Sequence, residues 1–157
     1  MATPGRKFAL WGVAAVASPT KSLLQIVSAA TIRPGIYDVF LSSDATPADN
    51  ALLWKAQRFT VAGTAGTTIT PTYLDPGDAV AASQLAATTG YACSAEPTYT
   101  ATFIVMWIAL NQRATHRVIL DPTAPILLPS VASNGVGVFV VHASFTGNAD
   151  ITVYTFE

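Results

Sequence analysis

Residue types that usually carry enzyme chemistry are scarce in this chain. His116 and His142 are the only histidines, and each lies in a segment with the composition of a strand. Asp121 follows His116 by five residues, but no His-x-His, Cys-x-x-Cys or His-Glu-x-x-His spacing is present. A metal site normally needs three or four protein ligands. We therefore predict neither a metal site nor a bound cofactor.

Candidate nucleophiles and acid–base pairs give no stronger signal. Cys93 is the single cysteine, which excludes an intramolecular disulfide and suits a reducing compartment such as the cytosol. No serine lies in a Gly-x-Ser-x-Gly elbow, and "AGTAG" and "NGVGV" lack the strand-to-helix setting of a phosphate loop. Glu96 and Glu157 are the only glutamates, and no spacing of carboxylates indicates a glycosidase pair. The sequence predicts a protein that is not an enzyme. A hydrolase on a jelly-roll scaffold is the remaining catalytic alternative.

The composition indicates a domain with more than one buried face. Of the 157 residues, 11% are charged and 51% are hydrophobic, whereas about 25% charged is typical of soluble domains. The length suits one domain. Eight basic and nine acidic residues give a net charge of −1, and no basic cluster could neutralise a run of phosphates. Nucleic acid is therefore not a predicted partner.

The longest apolar run, residues 101–110 within "TATFIVMWIALNQR", is too short to cross a membrane. It has about ten residues, and a membrane helix needs about 20. The N-terminal "MATPGRKFALWGVAAVASPTK" resembles a secretory signal, but Gly12 breaks its apolar stretch and no paired cysteines or Asn-x-Ser/Thr site follow. We predict no membrane partner and no export signal.

Short segments rich in Val, Ile, Thr and aromatic residues alternate with Pro, Gly, Asp and Asn clusters throughout the chain, which predicts strands joined by tight turns. The predicted strands cover residues 8–14, 22–30, 35–43, 51–61, 67–74, 99–110, 115–121, 135–145 and 150–157. Residues 75–90 are predicted to hold a short helix or an irregular loop. We predict an all-β protein: an antiparallel, jelly-roll-like β-sandwich of about eight or nine strands. Residues 1–20 form an N-terminal arm or first strand, and residues 21–157 form a single domain.

Strand periodicity predicts which side chains share a face. In "IYDVFLS", Tyr37, Val39 and Leu41 fall on one side. In the run 99–110 both sides are apolar: one carries Phe103, Val105, Trp107 and Ala109, and the other carries Thr102, Ile104, Met106, Ile108 and Leu110. The segment 135–145 has the same property. A two-layer sandwich covers one face of each sheet, so these strands need a second cover. The cover is a second subunit, or a loop or the N-terminal segment. We predict that the run 99–110 is a central strand.

The polar segment "NQRATHR" ends this run and is a candidate interface rim. Arg113, Thr115 and Arg117 share one side if the segment turns into the next strand, and His116 lies between them. Arginine is common at interfaces because its planar fork pairs with carboxylates and carbonyls. An ordinary solvated strand face is the alternative. The predicted interface set is Phe103, Val105, Trp107, Arg113, His116, Arg117, Arg6 and Phe8.

An ordered series of segments over residues 31–157 resembles the auxiliary capsid proteins of tailed phages, also called cement or decoration proteins. The resemblance rests on "PADNALLWKAQR", then "LNQRATHR", then "NGVGV" and a terminal "VYTFE". It implies a jelly-roll-like sandwich that forms a homotrimer on the outer surface of an icosahedral head and bridges major capsid protein subunits. It also implies a protein of the virion, assembled in the host cytoplasm, with no catalytic residues. A trimeric receptor- or carbohydrate-binding module of a phage tail or fibre is the alternative.

Overall fold

The computed structural model describes residues 5–15, 22–78, 83–121, 123–141 and 147–157. In this part of the chain there are twelve β-strands and one 3₁₀ turn, Pro76–Asp78. Eight of those strands have four residues or more. The strands are β1 (Lys7–Ala15), β2 (Leu24–Val27), β3 (Gly35–Asp44), β4 (Ala51–Val61), β5 (Thr67–Thr68), β6 (Thr72–Tyr73), β7 (Gly90–Tyr91), β8 (Thr98–Asn111), β9 (His116–Ile119), β10 (Ile126–Leu127), β11 (Gly135–Val140) and β12 (Asn148–Phe156).

The strands form two antiparallel sheets of six strands each. Sheet A has the order β10-β3-β12-β1-β6, and β9 also pairs with β3. Sheet B has the order β5-β7-β2-β11-β4-β8. The long strands pair in a nested way: β1 with β12, β2 with β11, β3 with β9 and β10, and β4 with β8. Most sheet neighbours are therefore distant in sequence.

One apolar core draws on both sheets. Leu41 and Ile151 of sheet A belong to the same buried cluster as Leu24, Trp54 and Val138 of sheet B. Alternation produces this arrangement, since in β12 every second residue is buried. Fully burying each large aliphatic side chain contributes about 1.5–3 kcal/mol. The core thus holds the two sheets together.

Each of the nine predicted strand segments contains an observed strand, but their limits differ. The segment 67–74 is divided into β5 and β6, and β7 and β10 were not predicted. Within 75–90 the chain forms the 3₁₀ turn and then β7. His142 and the predicted strand end at 142–145 lie outside the described residues. No helix in the described ranges is long and apolar enough to span a membrane.

A β-bulge in β3 corrects one predicted face. The register of β3 against β12 shifts at Tyr37, which has no partner opposite it. Val39 and Leu41 are buried in the core, whereas the Tyr37 ring lies 6.2 Å from that of Tyr154 and 6.3 Å from that of Phe156. An extra residue in one strand reverses the side on which its neighbours point. The prediction that Tyr37 shares a face with Val39 and Leu41 was therefore wrong.

Candidate functional site

The apolar run of the sequence forms β8, the last strand of sheet B. It pairs with β4 on one side and ends the sheet on the other, so the prediction of a central strand was wrong. Its 14 residues include no charged side chain and no proline. Natural edge strands usually carry charges, proline or bulges that prevent pairing with another chain. From Met106 onward β8 has regular register and none of these protections.

A row of side chains crosses the outer face of sheet B at Trp107. Lys55 of β4 pairs with Trp107 of β8 on one side and with Phe139 of β11 on the other. The Lys55 ammonium lies 5.1 Å from the Trp107 ring centre and 5.5 Å from that of Phe139, within the range of cation–π attraction. Trp107 is 57% exposed. This row therefore presents aromatic surface around one cation.

A second row continues the apolar surface toward the end of β8. Ala109 is opposite Leu53 of β4, and the amide of Val141 donates to the carbonyl of Leu53 at 2.8 Å. Ala109 and Val141 are exposed and Leu53 is half-buried. We call the two rows the Trp107 face, which consists of Leu53, Lys55, Trp107, Ala109, Phe139 and Val141.

A second β-bulge removes Val105 from this face. The ladder pairs Met106 with Ala56 and Ile104 with Gln57, so Val105 has no partner in β4. Val105 packs against the buried core. The prediction that Val105 lies beside Phe103 and Trp107 was wrong, because the extra residue turns its side chain inward.

Phe103 lies farther along the same side of sheet B, in the irregular half of β8. Its side chain is exposed and lines a shallow depression with Arg58, Phe59 and Pro129. The strand register shifts repeatedly between residues 57 and 61 of β4. Phe103 is therefore an exposed aromatic residue outside the Trp107 face.

Tyr99 covers part of the outer face of β11. Its ring lies 5.0 Å from Phe139 and makes an edge contact with Phe59 at 6.2 Å. A β-carbon at Gly137 would overlap the Tyr99 hydroxyl, so only glycine fits beneath this ring. The outer face of β11 is covered around Gly137 by Tyr99 of β8 in the same chain, and not by the predicted loop or N-terminal segment. Trp107 has no such cover within the described residues.

A polar cluster anchors Tyr99. The Glu96 carboxylate accepts from the amide and from the hydroxyl of Ser22, each at 2.7 Å, and the Ser22 hydroxyl also bonds the Tyr99 hydroxyl. Burial raises the pKa of Tyr99, so the phenol keeps its proton at neutral pH. Sequence pattern could not predict this contact, because Ser22 and Glu96 are 74 residues apart.

The predicted rim residues do not gather on the Trp107 face. Arg117 belongs to β9 of sheet A, where its guanidinium pairs with Asp38 at 2.5 Å and lies 4.7 Å from the Phe40 ring centre. Arg113 lies in the turn after β8 and donates from Nε to the carbonyl of Pro47 at 3.3 Å. His116 is half-buried in β9.

The N-terminal candidates have roles inside the protomer. Phe8 is 1% exposed, so its side chain is not available to a second molecule and the interface prediction for it was wrong. β1 alternates between buried and exposed residues, and Phe8 falls on its buried side. Arg6 is half-buried and forms an ion pair with Glu157 at 3.2 Å.

The outer face of sheet A carries a groove that the sequence did not reveal. Its volume is about 400 Å³. It is lined by Tyr37, Asp38, Phe40, Leu74, Arg117 and Tyr154. The bulge at Tyr37 and the pairing of β3 with β9 assemble it, and neither is visible in local periodicity. It combines aromatic rings with a charged pair.

No group of three or more His, Cys, Asp or Glu side chains in the described ranges is arranged to hold a metal ion. No family model, no curated protein and no solved structure matches this chain.

Proposed function

We propose that this protein is a capsid cement, or decoration, protein of a tailed phage. It forms a homotrimer, binds major capsid protein subunits on the outside of the head and stabilises the shell in the virion. It performs no catalysis. The family resemblance of the sequence suggests this role, and the Trp107 face is the single structural observation that carries it.

The fold proposed for this role is a jelly-roll-like β-sandwich. A jelly roll arises when a long antiparallel ribbon of eight strands is rolled into two sheets. The nested pairing of β1 with β12, β2 with β11, β3 with β9 and β10, and β4 with β8 supports that arrangement. The shared core supports the packing of the two sheets against each other.

The Trp107 face supports association because it is apolar, continuous and next to an unprotected strand edge. Trp107 is 57% exposed in the protomer, and large exposed aromatic residues are enriched in interface cores. Burying apolar surface contributes about 25 cal/mol per Å², from which the entropy of association is subtracted. Burial of this face against another subunit therefore contributes favourably to association.

Trp11 offers a matched control for Trp107. It is also 57% exposed, but it lies on β1 of sheet A. We expect Trp107→Ala to reduce association of the trimer at least tenfold and Trp11→Ala to leave it unchanged, as measured by light scattering after size-exclusion chromatography. A wild-type monomer at micromolar concentration would contradict the homotrimer.

The proposed position on the outer surface of the head can be tested separately. Purified heads should contain the protein, and purified protein should bind expanded shells that lack it. Electron microscopy of such particles would show extra density on the outer surface. Heads without the protein, together with shells that do not bind it, would overturn the proposed function.

The groove on sheet A favours a second candidate, a trimeric receptor- or carbohydrate-binding module of a phage tail or fibre. Sugars pack their apolar faces on aromatic rings and hydrogen-bond to charged side chains, and Tyr37, Phe40 and Tyr154 line the groove beside Asp38 and Arg117. Binding of a glycan on an array, lost in Tyr154→Ala, would select this candidate. Absence of binding to every glycan would remove it.

A further inference from the structure

We propose that the Trp107 face receives the tip Leu74–Gly77 from a second copy of this chain, with the Asp75 carboxylate against the Lys55 ammonium. The contact runs head to tail around a ring. The inference rests on the homotrimer of the proposed function and specifies which surfaces meet in it.

The tip carries an exposed carboxylate, which the Trp107 face lacks. All residues from Thr72 to Gly77 are exposed, and Leu74 is 45% exposed. Asp75 accepts a hydrogen bond from the Gly77 amide at 2.8 Å through Oδ1, a contact that fixes the turn. Within the described ranges no cation lies within ion-pair distance of Asp75. The tip thus presents an apolar side chain beside an anion.

The Trp107 face has the complementary character. Lys55 lies between the Trp107 and Phe139 rings, and the described part of the chain places no carboxylate within ion-pair distance of it. A cation in an apolar interface strongly favours a partner that brings an opposite charge, since like or unpaired charges there are strongly destabilising. Asp75 supplies the charge, and Leu74 supplies apolar area for the rings.

The two surfaces lie on opposite flanks of the protomer. On one flank β6 ends sheet A next to β1, and Gly12 of β1 contacts Tyr91 of β7 near the far end of sheet B. On the other flank Val105 and Met106 of β8 line an apolar cavity with Val118 of β9. A contact between two different patches on opposite flanks is heterologous and generates a ring when the rotation closes.

Asp121 is one of several other exposed acidic residues and gives a matched control. It is exposed and follows the exposed Ile119, but it lies on the flank that carries β8. Its carboxylate already accepts from the amide of Thr123 at 2.8 Å and from the hydroxyl at 2.7 Å. Pairing of Lys55 with Asp121 would join identical flanks in a two-fold dimer.

Charge exchange in the full chain tests the contact. Lys55→Glu and Asp75→Lys should each weaken association at least tenfold, because each places like charges together. The double variant Lys55→Glu/Asp75→Lys should associate within about threefold of the wild type. Light scattering over a concentration series measures mass, and circular dichroism checks that every variant is folded.

Mixing the two single variants adds a test of ring size. In the mixture, a favourable contact forms only between two different variants, because only then do unlike charges meet at positions 55 and 75. A ring can alternate the two variants throughout only when its number of subunits is even. A trimer retains one unfavourable contact, and the mixture should associate less well than the double variant. Asp121→Lys should associate like the wild type.

The head-to-tail contact is refuted if the double variant stays dissociated or if wild-type protein is monomeric. It is also refuted if adding Asp121→Lys, rather than Asp75→Lys, restores association to the Lys55→Glu variant. The proposed capsid function is tested separately, by measuring whether the protein binds expanded shells. A wild-type trimer that binds shells without charge rescue refutes only the head-to-tail contact. Charge rescue in a protein that binds no shells refutes only the capsid role.

Discussion

Cys93 illustrates how burial suppresses the chemistry of a single side chain. The thiol is buried, and its pKa is raised to about 12 by burial and by the nearby Glu96. The Cys93 amide donates to the carbonyl of Ser22 at 3.0 Å, which ties the residue to the cluster that anchors Tyr99. At neutral pH the group is a thiol and not the nucleophilic thiolate.

We predict that native Cys93 reacts with Ellman's reagent at pH 8 at least a hundredfold more slowly than in the urea-unfolded chain. A rise in pKa from 9.0 to about 12 lowers the thiolate fraction about a thousandfold. The absorbance of the released thionitrobenzoate measures both rates. Equal rates in the folded and unfolded protein would contradict the buried thiol.

The pKa values of Asp150 and Asp121 are shifted in opposite directions by their surroundings. Burial, followed by the charge of Asp44, raises the pKa of Asp150, whereas hydrogen bonds from Thr123 lower the pKa of Asp121. A raised carboxylate pKa means that ionisation disfavours the fold at pH values above the unfolded pKa. A lowered pKa means that ionisation favours it in the same range.

We predict that Asp150→Asn is more stable than the wild type at pH 7, and that this advantage is lost as the pH falls from the raised folded pKa of Asp150 to the unfolded value of about 3.8. Urea midpoints at pH 7 and pH 3 measure the effect. Asp121→Asn is the control and should lose stability at pH 7, with the loss vanishing as the pH falls through the lowered pKa of Asp121. Equal effects of Asp150→Asn at both pH values would contradict the prediction.

At the scale of elements, β8 contains two different structures. Its regular half, from Met106 onward, extends sheet B, and its irregular half places Tyr99 over β11. The same strand therefore leaves one apolar surface open at Trp107 and covers another around Gly137. Periodicity predicted apolar side chains on both sides of this run, which is what the strand carries. It could not predict the bulge at Val105, because a bulge depends on the partner strand.

We predict that Tyr99→Ala destabilises the protomer by about 3 kcal/mol or more and that Tyr99→Phe costs about 1 kcal/mol. Alanine loses the contacts of the ring with Phe59 and Phe139, whereas phenylalanine loses only the bond to the Ser22 hydroxyl. Ser22 keeps its Glu96 partner in both variants. Chemical denaturation measures the difference. Equal losses of stability in the two variants would show that the hydroxyl, and not the ring, accounts for the contribution of Tyr99.

At the scale of the whole molecule, the two ends of the described chain are joined. Arg6 pairs with Glu157, and the Glu157 amide donates to the Arg6 carbonyl at 2.9 Å. The Glu157 side chain is 1% exposed, and its carboxylate also accepts from the Ser83 hydroxyl and the Gln84 amide. One carboxylate thus holds the strands β1 and β12 and the segment at 83–84 together.

We predict that Glu157→Gln lowers the free energy of unfolding by about 2 kcal/mol, because charge-assisted hydrogen bonds are replaced by weaker neutral ones. Limited proteolysis should then cut near residues 83–84 faster than in the wild type. Arg6→Gln should also lose stability, because it leaves a buried carboxylate without its cation, but it should change cleavage near 83–84 less, since Ser83 and Gln84 keep their bonds to the carboxylate. Unchanged cleavage in Glu157→Gln would show that other contacts hold this segment.

The sequence by itself determined that the protein is all-β and where its longer strands lie. β-branched and aromatic residues between turn-forming clusters are local signals, and each predicted segment contains a strand. The scarcity of histidine, cysteine and glutamate was also readable directly. The short strands β7 and β10 escaped prediction because two residues carry no periodicity.

The tertiary structure alone decided which apolar side chains remain uncovered. Strand pairing joins residues as distant as Lys7 and Phe156, so neither the edge position of β8 nor the cover of β11 follows from local pattern. Bulges at Tyr37 and Val105 reverse side chains that simple alternation assigns to the other face. Burial depends on what lies across a strand, which is a property of the folded chain and not of the segment.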